Sequence, residues 1–295
     1  YNKNGVLLYD RDTKLTMQAI YGIRNFGLIG VYVLEPAEPL PPLTQEDLEF
    51  ERFQIQAVSA IEEEQDRILK TRKQNRTQSI ADMVIRNYGH LDEKINFYQN
   101  LRSREDYFSR HSLNVAILCA MITHVMNIRR EEQYHTVCAA ILHDMGKVKK
   151  HDDVYYGAPY TREDMLRNCE TQEEAYGIIE EAFATDGSGI RRICQQAARK
   201  QLDLFPEDGE KNRYKMLAGA NVLLVANRYD EITAMTLQGT AQSEVKALQE
   251  LLEHPEVYDP ETVRALIRSI NILPPGASVE LSTGEKALVL LSLIH

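Results

Sequence analysis

Apolar residues recur at intervals of three and four along most of the chain, the spacing of one helical face. The pattern is clearest from Leu101 to about Ile270, where His111 to Ile128 and Glu131 to Asp144 each read as a helix. Further helices are predicted at 162–183, 188–202, 213–235, 241–253 and 260–270, punctuated by Gly187, Pro206, Gly209 and Gly239. Residues 149–162, with Gly157 and Pro159, read as a loop.

The pattern changes at both ends. Gly5 to Tyr9 and Gly30 to Leu34 have the β-branched and aromatic content of strands, with a helix between them from Leu15 to Phe26. Four prolines within residues 36–42 then end any regular structure and mark a boundary. Thr44 opens a long helical stretch running to about Asn87, with Glu46 and Asp47 in its first turn. Its middle, Glu62 to Gln78, is densely charged and reads as a solvated face or connector; a two-stranded dimer seam is the sharper alternative. After Pro274-Pro275-Gly276, Ser278 to Leu293 reads as a hairpin turning at Ser282 to Glu285. The expected fold is mainly α, with a small α/β module at 1–40, a helical connector at 43–100, a helical domain at 101–272 and a β hairpin at 273–295.

Composition narrows the function classes. The chain has 295 residues and a formal charge of −10, which speaks against a nucleic-acid polymer as partner, because such binding relies on clustered Lys and Arg. No apolar run approaches the roughly 20 residues of a membrane-spanning helix. The four cysteines lack CxxC pairing and read as free thiols of a cytoplasmic protein. Position 1 is Tyr and no signal peptide is visible, so the chain reads as a piece of a longer one.

The chemistry concentrates in His111 and in Ala139-Ala-Ile-Leu-His143-Asp144-Met-Gly146-Lys147. An apolar run drives a helix inward and ends it in two ionisable groups, which is costly without a compensating partner. A divalent cation is such a partner, since imidazole and carboxylate are both metal ligands. His111 opens the preceding helix, so an antiparallel return can bring it to His143. Gly146 permits a turn there, and Lys147 offers a positive charge to an anionic oxygen.

Ser109-Arg-His111-Ser-Leu-Asn-Val115 followed by Ile141-Leu-His-Asp-Met-Gly-Lys147 resembles the opening of an HD-superfamily metal-dependent phosphohydrolase. More narrowly it is similar to the HD-GYP branch, whose members hydrolyse cyclic di-GMP and related dinucleotides. Val225-Ala-Asn-Arg-Tyr-Asp-Glu-Ile-Thr233 is similar to the branch's Val-Ala-Asp-x-Tyr-Asp-Ala-Leu-Thr segment. Tyr258 to Val263, Leu273 to Leu288 and Gly5 to Leu34 resemble its closing helix, terminal hairpin and common preceding module. The resemblance implies an HD helical bundle with His111, His143 and Asp144 as metal ligands and Lys147 contacting substrate phosphate. It implies catalytic parts for Asp144 and Lys147, and a supporting hydrogen-bonding part for Asp230. The ligand it implies is a cyclic dinucleotide or another phosphoester.

The departures bear on activity. The branch's last ligand is the first Asp of the segment, and here that position is Asn227, a neutral and weaker ligand. The His-His-Glu-x-x-Asp-Gly-x-Gly-Tyr-Pro signature is absent; the corresponding stretch is Ala198 to Gly209. Cys169 to Glu173 occupy the place of a further His, and His151 is a possible stand-in. Asp186 to Gly189 read as a turn and helix cap. The expectation is one divalent ion, Fe or Mn, rather than two, or none in a retired site. The function expected is weak or lost phosphodiesterase activity, with a non-catalytic sensor or interaction module as the alternative. The charged connector suggests a homodimer.

Overall fold

The computed structural model describes residue 9 and residues 13–25, 45–97, 99, 102, 106–149, 161–205, 215–235, 241–273, 278–281 and 283–289. Residues 5–8 of the first expected strand, the strand expected at 30–34, the proline-rich boundary and His151 lie outside the described residues. Of the expected amino-terminal module, α1 (Met17–Asn25) is described.

The centre of the bundle is α4 (Tyr107–Val125), buried on every side from His111 to Thr123. A helix apolar all round belongs in the middle of a core. It turns back through Asn127, at φ 52°, into α5 (Arg130–Leu142), whose last six residues, Val137 to Leu142, are fully buried. Around this pair pack α9 (Ala218–Thr233), α8 (Gly187–Lys200) and α11 (Pro260–Ser269), with α10 (Glu244–Glu253) outside α9. The helix starts follow the local chemistry. Thr161 and Asp164 form a capping box for α7 (Arg162–Ala182), and the Asp259 carboxylate accepts the Thr262 N–H at 2.9 Å ahead of Pro260. Asp186 does stand at the cap position of α8, but its side chain makes no capping bond and lies 3.5 Å from His135.

The long helical stretch breaks into α2 (Gln45–Thr71) and α3 (Thr77–Tyr88), and its charged middle is largely exposed, with Glu64, Gln65 and Ile68 turned inward. Ala57, Ile61 and Ile68 are fully buried against the rest of the chain, where α2 meets α4, α6 (Met145–Lys149) and α7. Glu64 is also buried, because its carboxylate accepts the N–H groups of Asn75, Arg76 and Thr77 at 2.6, 2.8 and 3.1 Å. It supplies the cap that α3 lacks locally, a favourable place for a negative charge. Gln65 donates to Ser112 Oγ at 3.1 Å and to the Ile141 carbonyl at 2.7 Å, which locks α2 to the pair α4–α5. The apolar stripe that a dimer seam would need is thus covered within the chain, and the homodimer expectation loses its basis.

Backbone pairing joins the start and end of the bundle. Ile95 N–H donates to Ser269 and Asn271 N–H donates to Ile95, at 3.2 and 2.9 Å. The hairpin is formed by β1 (Ser278–Glu280) and β2 (Lys286–Leu288), antiparallel with Val279 opposite Ala287.

Candidate metal centre

Three helix ends and one helix face meet at a single point. His111 lies in the second turn of α4, His143 is the cap residue after α5, Asp144 follows it, and Asn227 faces them from α9. All four are buried, at 0, 7, 2 and 6% exposure. Fully buried Ala139 to Leu142 pull the end of α5 inward and carry His143 and Asp144 with it. After Asp144 the chain makes a short helix, α6 (Met145–Lys149), which brings Lys147 back over the Asp144 carboxylate at 2.9 Å.

The two imidazole Nε2 atoms are 3.1 Å apart, and each lies 3.6 Å from an oxygen of Asp144. Asn227 Oδ1 is 2.9 Å from His111 Nε2 and 2.8 Å from His143 Nε2. The opposite ring nitrogens fix the tautomers. His111 Nδ1 sits 2.6 Å from the Asp230 carboxylate and His143 Nδ1 sits 2.8 Å from the Ala140 carbonyl, both of which can only accept. Each Nδ1 therefore donates, and each Nε2 presents a lone pair. Two nitrogen lone pairs and an amide oxygen then face one point with no proton among them. A cation between them relieves this arrangement, and the Asp144 carboxylate at the same point adds a charged ligand. His111, His143 and Asp144 form the group of possible metal ligands among the described residues, all buried.

Electrostatics favour the same state. Burial holds the His143 pKa below its ordinary value, which outweighs the attraction of Asp144 and keeps the ring neutral at neutral pH. Burial alone would raise the Asp144 pKa, but the Lys147 ammonium holds it well below the carboxylate range. Asp230 behaves likewise: burial opposes its ionisation, and the Arg102 guanidinium and His111 prevail.

Sequence reasoning missed the residues that hold the ligands. Arg102, 1% exposed, grips both oxygens of Asp230 at 2.7 Å, and Gln99 and Asn114 donate to Asp230 Oδ1 at 2.9 and 3.0 Å. Tyr107 stacks on the His111 ring at 5.8 Å between centroids. Gln172 of α7 donates to Asp144 Oδ1 at 3.0 Å and accepts the Gly146 N–H at 2.8 Å. Glu231 accepts from Asn227 Nδ2 at 3.2 Å. No local pattern marks an isolated Arg, Gln or Glu as the support of a ligand; their places follow from helix packing. Gly146 matters for a reason other than a turn. A Cβ there would stand 2.5 Å from Gln172 Oε1 and from the Thr171 carbonyl, so the glycine allows α6 to lie against α7.

A cavity opens beside the cluster, lined by His143, Asp144, Lys147, Gln172, Asn227 and Glu231 and by the apolar Met165, Tyr176 and Leu223. Cys169 also lines it, half-buried, with its thiol directed to the Ala198 carbonyl at 3.6 Å. Glu170 is exposed, and Glu173 is engaged by Arg191 and Arg199. His124 pairs with Asp92, and His254 with Glu256, away from the cluster.

Two comparisons with known proteins agree with this geometry. Residues 108–232 match the family model of the HD domain. Over 202 residues the chain is 20% identical to a cyclic di-GMP phosphodiesterase of Pseudomonas aeruginosa, covering 64% of this chain and 46% of that protein. The chain thus spans about half the length of that curated relative. No solved structure matches.

Proposed function

We propose, from the match of residues 108–232 to the HD domain, that this chain is a metal-dependent phosphohydrolase of the HD-GYP type acting on a cyclic dinucleotide, with a reduced site and weak turnover. The observation that carries the reading is the convergence of His111 Nε2, His143 Nε2, Asp144 and Asn227 Oδ1, four ligand-type groups with no proton of their own to share. These residues would hold one divalent cation, of which Fe or Mn suits a mixed nitrogen and oxygen set. When bound, the cation supplies Lewis-acid stabilisation of charge on a phosphoryl oxygen.

The remaining steps belong to the chain's own groups. Asp230, fixed by Arg102, keeps the proton of His111 on Nδ1 and the ring aimed at the site. Lys147, over the Asp144 carboxylate on the cavity wall, is placed to meet a phosphate oxygen. The cavity's apolar side, Met165, Tyr176 and Leu223, offers a surface for a nucleobase. A second reading, a ligand-binding module without turnover, is favoured by Asn227: a neutral amide leaves the site one negative charge short of the segment it resembles.

Elemental analysis of anaerobically purified protein tests the proposal, with cyclic di-GMP hydrolysis followed in added Mn²⁺ or Fe²⁺. About one ion per chain is expected, with His143→Ala lowering metal affinity at least about tenfold and abolishing turnover. Metal uptake without hydrolysis of any phosphodiester would favour the second reading. Folded protein that takes up neither ion would sink the phosphohydrolase reading and leave the module without turnover.

A further inference from the structure

We infer that Glu231 is a positioning residue for the bound cation: its carboxylate takes the Asn227 amide N–H and so turns the amide oxygen toward His111 and His143. The inference rests on the metal-centre reading above and concerns a residue that no family motif assigns. In the segment this chain resembles, the place of Asn227 is an Asp and the place of Glu231 is an Ala. Here the carboxylate has moved one helical turn along α9, and both side chains remain on the same face, as i and i+4 must.

The geometry shows why the pair acts as a unit. Asn227 offers one acceptor oxygen and one NH₂, and the two can be exchanged by turning the amide over. On one side are two imidazole Nε2 lone pairs, which by themselves would attract the NH₂ and turn the oxygen away. On the other side is Glu231 Oε1, 3.2 Å from Nδ2. A carboxylate only accepts and is the stronger acceptor because it is charged, so it wins the NH₂ and leaves Oδ1 2.8 and 2.9 Å from the two Nε2 atoms. The other oxygen of Glu231 is held by Arg228 Nη1 at 3.3 Å, and Arg228 is itself anchored to Glu250 at 2.7 Å. Glu231 is 10% exposed, and its Oε1 stands 3.9 Å from Lys147 Nζ. The negative charge missing at position 227 is therefore present just behind it, and the oxygen that reaches the cation is neutral but fixed in direction.

The test is the Mn²⁺ dissociation constant by titration calorimetry in four chains: wild type, Glu231→Ala, Asn227→Asp and the double variant. Apo melting curves establish that each is folded. With Asn at 227, Glu231→Ala should weaken Mn²⁺ binding about tenfold, since the amide loses its charged anchor. With Asp at 227 there is no amide to orient, and the same change should weaken binding by less than about threefold. The near-isosteric Glu231→Gln keeps a neutral acceptor and should fall between wild type and Glu231→Ala. Equal factors in the two backgrounds, or a Glu231→Ala variant within about twofold of wild type, would overturn the inference while leaving the metal centre standing. Wild-type protein that takes up no Mn²⁺ would overturn the metal reading and this inference with it.

Discussion

At the scale of single residues the site depends on buried charge held by exact numbers of partners. Asp230 is not among the proposed ligands, yet it sets the tautomer of His111 and balances Arg102, both of them buried. Removing one member of such a pair leaves the other charge uncompensated in the interior. Asp230→Asn is therefore expected to lower unfolding stability by about 3–5 kcal/mol, measured by urea denaturation at neutral pH. A loss below about 1 kcal/mol would mean that water or another group compensates Arg102. His111, His143 and Asp144 could be singled out from the sequence because ionisable residues ending an apolar run demand a partner. Arg102, Gln172 and Glu231 could not, since each is ordinary in its own local context.

At the scale of elements the critical contact is α6 against α7. Gly146 has helical backbone and needs no unusual dihedral; what it lacks is a Cβ that would press on Gln172 and Thr171. Gly146→Ala should push the two helices apart and shift the Gln172 amide that holds Asp144, with overpacking of roughly 1–3 kcal/mol. Thermal unfolding and Mn²⁺ titration of this variant should both show a loss. Unchanged values in both would mean that α7 yields without disturbing Asp144. The longer helices were foreseen, with ends displaced by up to five residues and α6 not anticipated, because three- and four-residue apolar spacing reports the buried face directly. The charged middle of α2 is solvated along most of its length but not all of it. Its polarity belongs to Glu64 and Gln65 as well as to solvent, and both are buried because backbone N–H groups and carbonyls from other elements satisfy them.

At the scale of the whole molecule, no helix among the described residues is long and apolar enough to cross a membrane. The buried carboxylates instead tie stability to pH. Asp144 and Asp230 keep folded-state pKa values below the ordinary 3.8. Their stabilisation is complete above that value and is lost as pH falls, since the unfolded chain takes up protons that the folded chain refuses. Urea midpoints measured from pH 6 to pH 2 should fall steeply below about pH 4 in the wild type, and less steeply in Asp230→Asn. Parallel curves for the two proteins would show that Asp230 is not a source of the acid sensitivity.

The sequence alone determined the helical framework and the hairpin, and it singled out His111, His143 and Asp144 as candidate metal ligands. Each is encoded locally, by periodicity, by turn residues or by ionisable groups placed at the end of an apolar run. Only the tertiary structure decided which groups complete the site. The tautomers of the two imidazoles follow from Asp230 and the Ala140 carbonyl, and the direction of the Asn227 oxygen follows from Glu231. Read locally, Asn227 is a weak ligand; in the folded chain its oxygen faces the two imidazoles, with a carboxylate behind it. The physical reason is that a hydrogen bond's direction depends on every donor and acceptor around it, and those neighbours come from α4, α5, α7 and α9.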